Sequence, residues 1–204
     1  MALNDKAIFT AAKGYVLTAG IVLGENGAPD EFVTAPTVSD IQAFTETSLP
    51  TGFELIGHTS ADELPEFGFD GGDTEVRGSW QTEALKTVQT DALVDYVTLN
   101  LMQFDDSGLE MYYGAENDPN AEVGEFVVET NNTEGVTKSL LIVMVDGDFK
   151  IGFYAPKATI KREDAISLET DSFAYLPLRA TFLKATGQPL YKWIAGHLNT
   201  GAGS

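Results

Sequence analysis

Val-Thr-Lys-Ser-Leu-Leu-Ile-Val-Met-Val-Asp-Gly-Asp-Phe-Lys-Ile-Gly-Phe-Tyr, residues 136–154, is the stretch whose reading decides the fold. Leu140 to Val145 form an unbroken apolar run bounded by a turn signal, the pattern of a strand with both faces buried. Asp146-Gly147-Asp148 then turns the chain into Phe149–Tyr154, which predicts a β-hairpin.

Working outward, Val94–Phe104 alternates Val97, Leu99 and Leu101 with Tyr96, Thr98 and Asn100 and predicts another strand. Leu176–Phe182 alternates in the same way, and Pro177 places it at an edge or a strand start. Further strands are expected at Gly14–Thr18, Phe53–Gly57, Thr74–Gln81, Glu125–Glu129 and Lys157–Lys161. One short helix is predicted from Ser107 to Tyr113, with Asp106 as N-cap and Gly114 just past its end. Residues 24–51 read as a long loop or arm, 115–124 as a second loop, and 197–204 as a flexible tail. Many short strands with one helix imply a mainly β fold: two packed antiparallel sheets, as a sandwich or partial barrel, in a single domain over 1–204.

The 204 residues carry 31 acids and 12 bases, for a formal charge of −19, and no cysteine. Disulfides and thiolate metal sites are thereby excluded, and the composition suits a reducing cytosol. The start Met-Ala-Leu-Asn-Asp-Lys lacks the pattern of a signal peptide, and no apolar run reaches the length of a membrane helix. Residues 1–137 hold 25 acids against 4 bases, whereas residues 138–204 hold 6 against 8. One end of such a particle is acidic and the other close to neutral, which favours head-to-tail stacking into rings or filaments. Tight nucleic-acid binding is disfavoured, because there is too little positive charge to replace phosphate counterions.

Between Asp62 and Glu75 six acids (Asp62, Glu63, Glu66, Asp70, Asp73, Glu75) occur without a base, with Leu64, Pro65, Phe67 and Phe69 threaded among them. A solvated loop would not normally carry two phenylalanines, and a core segment would not carry six carboxylates. The mixture suits a surface that another subunit covers, so residues 58–75 read as an acidic assembly loop. Lys157, Lys161, Arg162, Arg179 and Lys184 are its candidate partners on the next subunit.

Catalytic chemistry is poorly represented. His58 and His197 are the only histidines, and neither a Gly-x-Ser-x-Gly elbow nor a His-Glu-x-x-His pair is present. His58 therefore reads as a structural residue. Asp70-Gly-Gly-Asp-Thr-Glu75 has acids and glycines in calcium-loop style, but not the ligand spacing, and Gly71-Gly72 read better as a turn. No cofactor or metal is expected. Phe67, Phe69, Trp80, Tyr112, Tyr113, Phe149, Phe153 and Tyr154 are assigned to core packing ahead of a ligand groove.

At Gly57-His-Thr-Ser60, Asp70-Gly-Gly-Asp-Thr-Glu-Val-Arg-Gly-Ser-Trp80 and Glu83-Ala-Leu-Lys86, the chain resembles major tail proteins of long-tailed, non-contractile bacteriophages, above all those infecting actinobacteria. Met1–Asp5 with Gly14-Tyr-Val16, Ile151-Gly-Phe-Tyr-Ala-Pro-Lys157 and Leu176-Pro-Leu-Arg-Ala-Thr-Phe182 extend the likeness along most of the chain. The resemblance implies a tail-tube subunit built of two packed β-sheets with a flanking helix. Six subunits would close a ring, and rings would stack into a conduit for double-stranded DNA, with long loops and an N-terminal arm joining the rings. Tape measure, tail terminator and distal tail proteins are the partners it implies, and the virion tail the location, after assembly in the host cytoplasm. It also implies that a chain ending near residue 200 leaves no room for the immunoglobulin-like domain of some relatives. From the residues alone, a β-sandwich module binding a host surface or carbohydrate is the alternative.

Overall fold

A computed structural model describes residues 8–24, 28, 30–130 and 132–198. The expected N-terminal arm falls largely outside the described residues, as do positions 199–204 of the expected tail. In chain order the elements are β1 (Lys13–Gly20), α1 (Val38–Ala43), β2 (Glu54–Leu55), β3 (Glu66–Asp70), β4 (Thr74–Ser79), β5 (Thr82–Gln89), β6 (Val94–Leu101), α2 (Asp106–Tyr113), β7 (Val136–Asp146), β8 (Phe149–Arg162), β9 (Leu176–Phe182) and β10 (Lys192–Ile194). The fold is mainly β with two antiparallel sheets. The larger runs β2-β1-β7-β8-β9-β6-β3 with β10 added to β8, and the smaller is the hairpin β4-β5.

The apolar run in β7 is continuous because both faces of its sheet are covered. Leu140 and Ile142 point with Val16, Phe153 and Ala155 into a first core shared with β6, β9 and α2. Leu141 and Val143 point with Leu17, Ala19 and Tyr154 into a second core, closed by Ile41, Phe44 and Phe53. Strand alternation sends successive side chains to opposite faces, so a strand with two cores needs apolar residues at every position.

The large sheet bends until its ends face one another. Ile56 N–H donates to Val16 O of β1 at 3.1 Å, while Ser60 N–H donates to Asn100 O of β6 at 2.9 Å. One short segment thus joins the β1 edge to the β6 edge. The Phe67 ring, on the last strand of the path, lies 4.7 Å from that of Phe153 on β8. The result is the sandwich-like, partly closed packing that the strand pattern predicts.

Several elements differ from the expectation. Phe149–Tyr154 and Lys157–Lys161 are one strand, β8, interrupted by a bulge: Leu140 pairs with Ala155 but Lys138 with Ala158. The extra residue falls at Pro156-Lys157, where proline has no N–H to offer a ladder. Ser139 Oγ donates to Pro156 O at 2.6 Å in a buried site, satisfying the carbonyl there. The N-cap of α2 is Asp105, not Asp106; its side chain accepts from Gly108 N–H, and Gly114 ends the helix at φ 72°. Glu125–Glu129 is not a strand. Asn117 holds it as a loop, accepting from Val127 N–H and donating to Glu125 O.

Of the expected loop or arm 24–51, residues 30–51 are a covering layer more than a free arm. Thr37 and Asp40 form a capping box on α1, whose Ile41 is buried in the second core. Part of the expected acidic loop 58–75 is strand β3, paired along its length with β6. Strands β5 and β10 lie outside every expected span.

Candidate assembly surfaces

The β4–β5 hairpin packs on no other element to a comparable extent. Its strands pair with each other, and nearly every residue in them is exposed. Gly71 and Gly72 set its departure from β3 at φ 72° and 82°, and a Cβ on Gly71 would lie 2.2 Å from Ala92 O. Thr90 closes the base, its N–H and Oγ1 both donating to Asp73 O. Trp80 stands at the tip and is 100% exposed; Val76 and Leu85 are exposed along the arms. Arg77 pairs directly across from Lys86, and Arg77 Nε lies 3.2 Å from Glu75.

Arg179 on β9 is the centre of the charged surface beside it. Its guanidinium meets Asp70 at the end of β3, lies 3.3 Å from Glu163, and sits 3.5 Å from the centroid of the Tyr96 ring. Asp70 and Arg179, assigned from sequence to opposite sides of a subunit contact, therefore meet within one chain. Lys157 is likewise engaged at home, 2.7 Å from Asp30 of the covering layer. That lysine, followed by Gly24 N–H, holds the Asp30 carboxyl below its ordinary range. Lys184 Nζ donates to Gln188 O. Lys161 and Arg162 line a small cleft next to Asn132 and Gly135.

The remaining predicted acids split between two places. Asp73 and Glu75 belong to the hairpin. Asp62, Glu63 and Glu66 line a groove between residues 58–66 and 163–177, joined there by Glu163, Asp164 and Glu169. Its two connected parts measure about 520 and 730 Å³, share Asp62, Glu63, Ser167 and Tyr175, and have no lysine or arginine in their lining. Asn100 Nδ2 donates to Glu63. A hydrogen bond to Glu63, followed by the charge of that carboxylate, raises the Tyr175 phenol above its ordinary value. Glu163, Asp164 and Glu169 carry no sequence signal of their own; only the pairing of β6 with β3 and β9 brings them to the 58–66 segment.

The aromatic residues divide in a similar way. Tyr112, Phe153 and Tyr154 are core residues, as expected, and Tyr113 and Phe149 are partly buried. Phe67, Phe69 and Trp80 are exposed, contrary to the core assignment. Phe67 lies on Phe153 and Trp193 at the sheet surface, whereas Phe69, 67% exposed, and Trp80 have little cover. His58 sits at the acidic groove with its main-chain O accepting from Met102 N–H, and its N–H donates to Gln103 Oε1. It is a linker between the sheet edges. His197 lies 5.0 Å from the Phe149 ring, far from His58 in the chain.

The hairpin leaves Trp80 in solvent and the groove gathers six carboxylates, and comparison with known proteins adds a family to this geometry. A family model described as phage tail tube protein matches residues 1–203. The chain is 42% identical over 202 residues to "Major tail protein Gp23" of Mycobacterium phage D29, covering 95% of this chain and 93% of that protein. It is 41% identical over 196 residues to "Major tail protein Gp23" of Mycobacterium phage L5, with the same coverage. The actinobacterial likeness seen in the sequence is thus matched by phages of mycobacteria. The chain belongs to the phage tail tube protein family, whose members are structural proteins of the virion.

Proposed function

We propose that this chain is the repeating subunit of the tail tube of a long-tailed, non-contractile phage and works by assembly alone, without catalysis. Six copies close a ring and rings stack into a tube, joined at its ends and lumen to tail terminator, distal tail and tape measure proteins. Subunits collect in the host cytoplasm and end in the virion tail. The genome passes through the tube during ejection.

The observation that carries this reading is the family match along residues 1–203, in a chain that holds Trp80 fully exposed at the tip of a solvent-facing hairpin. The charge suits a conduit. At −19 per subunit the wall does not grip a polyanion, and screening confines the repulsion to about 8–10 Å at physiological salt. Sheet edges left open in one subunit are covered when neighbours arrive, as a closed wall requires.

Negative-stain electron microscopy of purified protein over a concentration series, with and without a tail-tip complex as seed, tests the proposal. Hollow tubes with six-fold end views are the expected result. A strict monomer at high concentration in the presence of the seed overturns it.

A further inference from the structure

We propose that the β4–β5 hairpin of one copy docks in the acidic groove between residues 58–66 and 163–177 of a neighbouring copy. Arg77 and Lys86 face the groove's carboxylates, and Trp80 covers its apolar residues. This rests on the tube reading above and adds to it the two surfaces that meet.

The hairpin calls for a partner on two independent grounds. A two-stranded ribbon is marginal in water without a face to pack on, yet this one holds Trp80, Val76 and Leu85 in solvent. A tip tryptophan gains most from burial at an interface, where aromatic anchors dominate the energetics. The second ground is charge. Arg77 and Lys86 are the only bases between Lys13 and Lys138, and the register sets them directly opposite each other on one face. Like charges in that position oppose pairing. Glu75 reaches Arg77 only at an exposed site, where an ion pair contributes little. Among the described residues no carboxylate lies within ion-pair distance of Lys86.

The groove supplies the complement. Asp62, Glu63, Glu66, Glu163, Asp164 and Glu169 line it with no lysine or arginine among the lining residues, only Glu163 being reached by Arg179 from beside it, and Leu64, Met102 and Phe173 add apolar surface. Phe173 is 79% exposed there. Hairpin and groove are different patches of the same chain, so their contact is head-to-tail and propagates from copy to copy. A polyanion would also attract the two bases, but it would leave Trp80 at the tip without an apolar counterpart. The exposed side chains therefore favour a second copy.

Charge reversal tests this in seeded polymerisation, with thermal unfolding of the monomer as the fold control. Arg77→Glu with Lys86→Glu, and separately Asp62→Lys with Glu66→Lys, should each lower polymer yield roughly tenfold or more at equal concentration. Combining all four should restore much of it. Wild-type yield from either folded pair, or no recovery in the combination, overturns the proposal. Normal tubes from Arg77→Glu/Lys86→Glu with altered retention of double-stranded DNA would overturn it in favour of the nucleic acid. The absence of cysteine allows a readout that does not depend on tubes. A mixture of Gln81→Cys and Ser167→Cys proteins should form a mixed disulfide under oxidation, and one of Gln81→Cys with Thr47→Cys should not. A cross-link in wild-type-like protein that forms no tube would keep the docking and reject the tube; tubes without the cross-link would do the reverse.

Discussion

Strand β7 and the β4–β5 hairpin use the same antiparallel ladder for opposite ends. In β7, Leu140 to Val143 are buried, with a core on each side of the sheet. In the hairpin almost every side chain faces water, Trp80, Val76 and Leu85 among them. Main-chain pairing is therefore not what separates a structural strand from an assembly strand here. Hydrogen bonds exchanged with water contribute little net, whereas apolar area removed from water contributes about 25 cal/mol per Å². Side chains of β7 contribute that energy when the chain folds. Those of the hairpin can contribute it only when a second molecule arrives.

The largest expected effect sets the two regions against each other directly. Phe153 is 1% exposed and touches Phe67, Phe182, Tyr191 and Trp193. Phe153→Ala should cost about 3–5 kcal/mol of folding stability, read from urea unfolding. Trp80→Ala removes a side chain of larger size but should leave monomer stability within about 0.5 kcal/mol. Its effect should appear in polymer yield instead. A Trp80→Ala monomer as destabilised as Phe153→Ala would erase the distinction between the regions.

How much of this was legible in the sequence follows the same division. The run Leu140–Val145, the Asp146-Gly147-Asp148 turn and the alternation in β6 and β9 predict the core sheet, because burial imposes a period on the residues. The hairpin arm β5 has no such pattern, since Thr82, Ala84, Lys86 and Val88 answer to no core on either side. Helix α1 was hidden among prolines and threonines, although Thr37-Val-Ser-Asp40 is a helix-start signature with aspartate in place of glutamate. The acids at 62–75 stand out in the sequence, but their partners do not. Arg179 meets Asp70 across 109 positions of sequence, through pairings of β3, β6 and β9 that no local spacing encodes.

A smaller effect is expected inside the well-covered region. Ser139 is fully buried and donates to Pro156 O at the β8 bulge. Ser139→Ala leaves that carbonyl without its donor in a dry site and should cost about 1–3 kcal/mol, measured as a shift in the urea midpoint. Ser139→Thr keeps the hydroxyl but adds a methyl group beside the bulge. If Ser139→Ala proved neutral, the bulge would be held by packing of the two cores and not by its hydrogen bond.

The smallest effect probes whether the covering layer belongs with the core or with the surface. Asp30 is held below the ordinary aspartate value of 3.8 by Lys157 and then by Gly24 N–H, and Asp40 by the N–H and then the hydroxyl of Thr37. A carboxyl whose folded value is depressed lends stability that is present above its unfolded value and lost as pH falls through the folded one. Both aspartates anchor the layer over the second core, one by a tether to β8 and one by capping α1. Acidification from about pH 6 to pH 2 should therefore expose this layer before the sheet beneath it. Amide exchange, corrected for its intrinsic pH dependence, reads this as lost protection at Ile41 and Phe44 while Leu141 and Val143 stay protected. Thr37→Ala, which removes the N-cap, should reproduce the loss at neutral pH for about 1 kcal/mol. Simultaneous loss at all four amides would mean that the two cores open as one cooperative unit, and that only the hairpin stands apart from it.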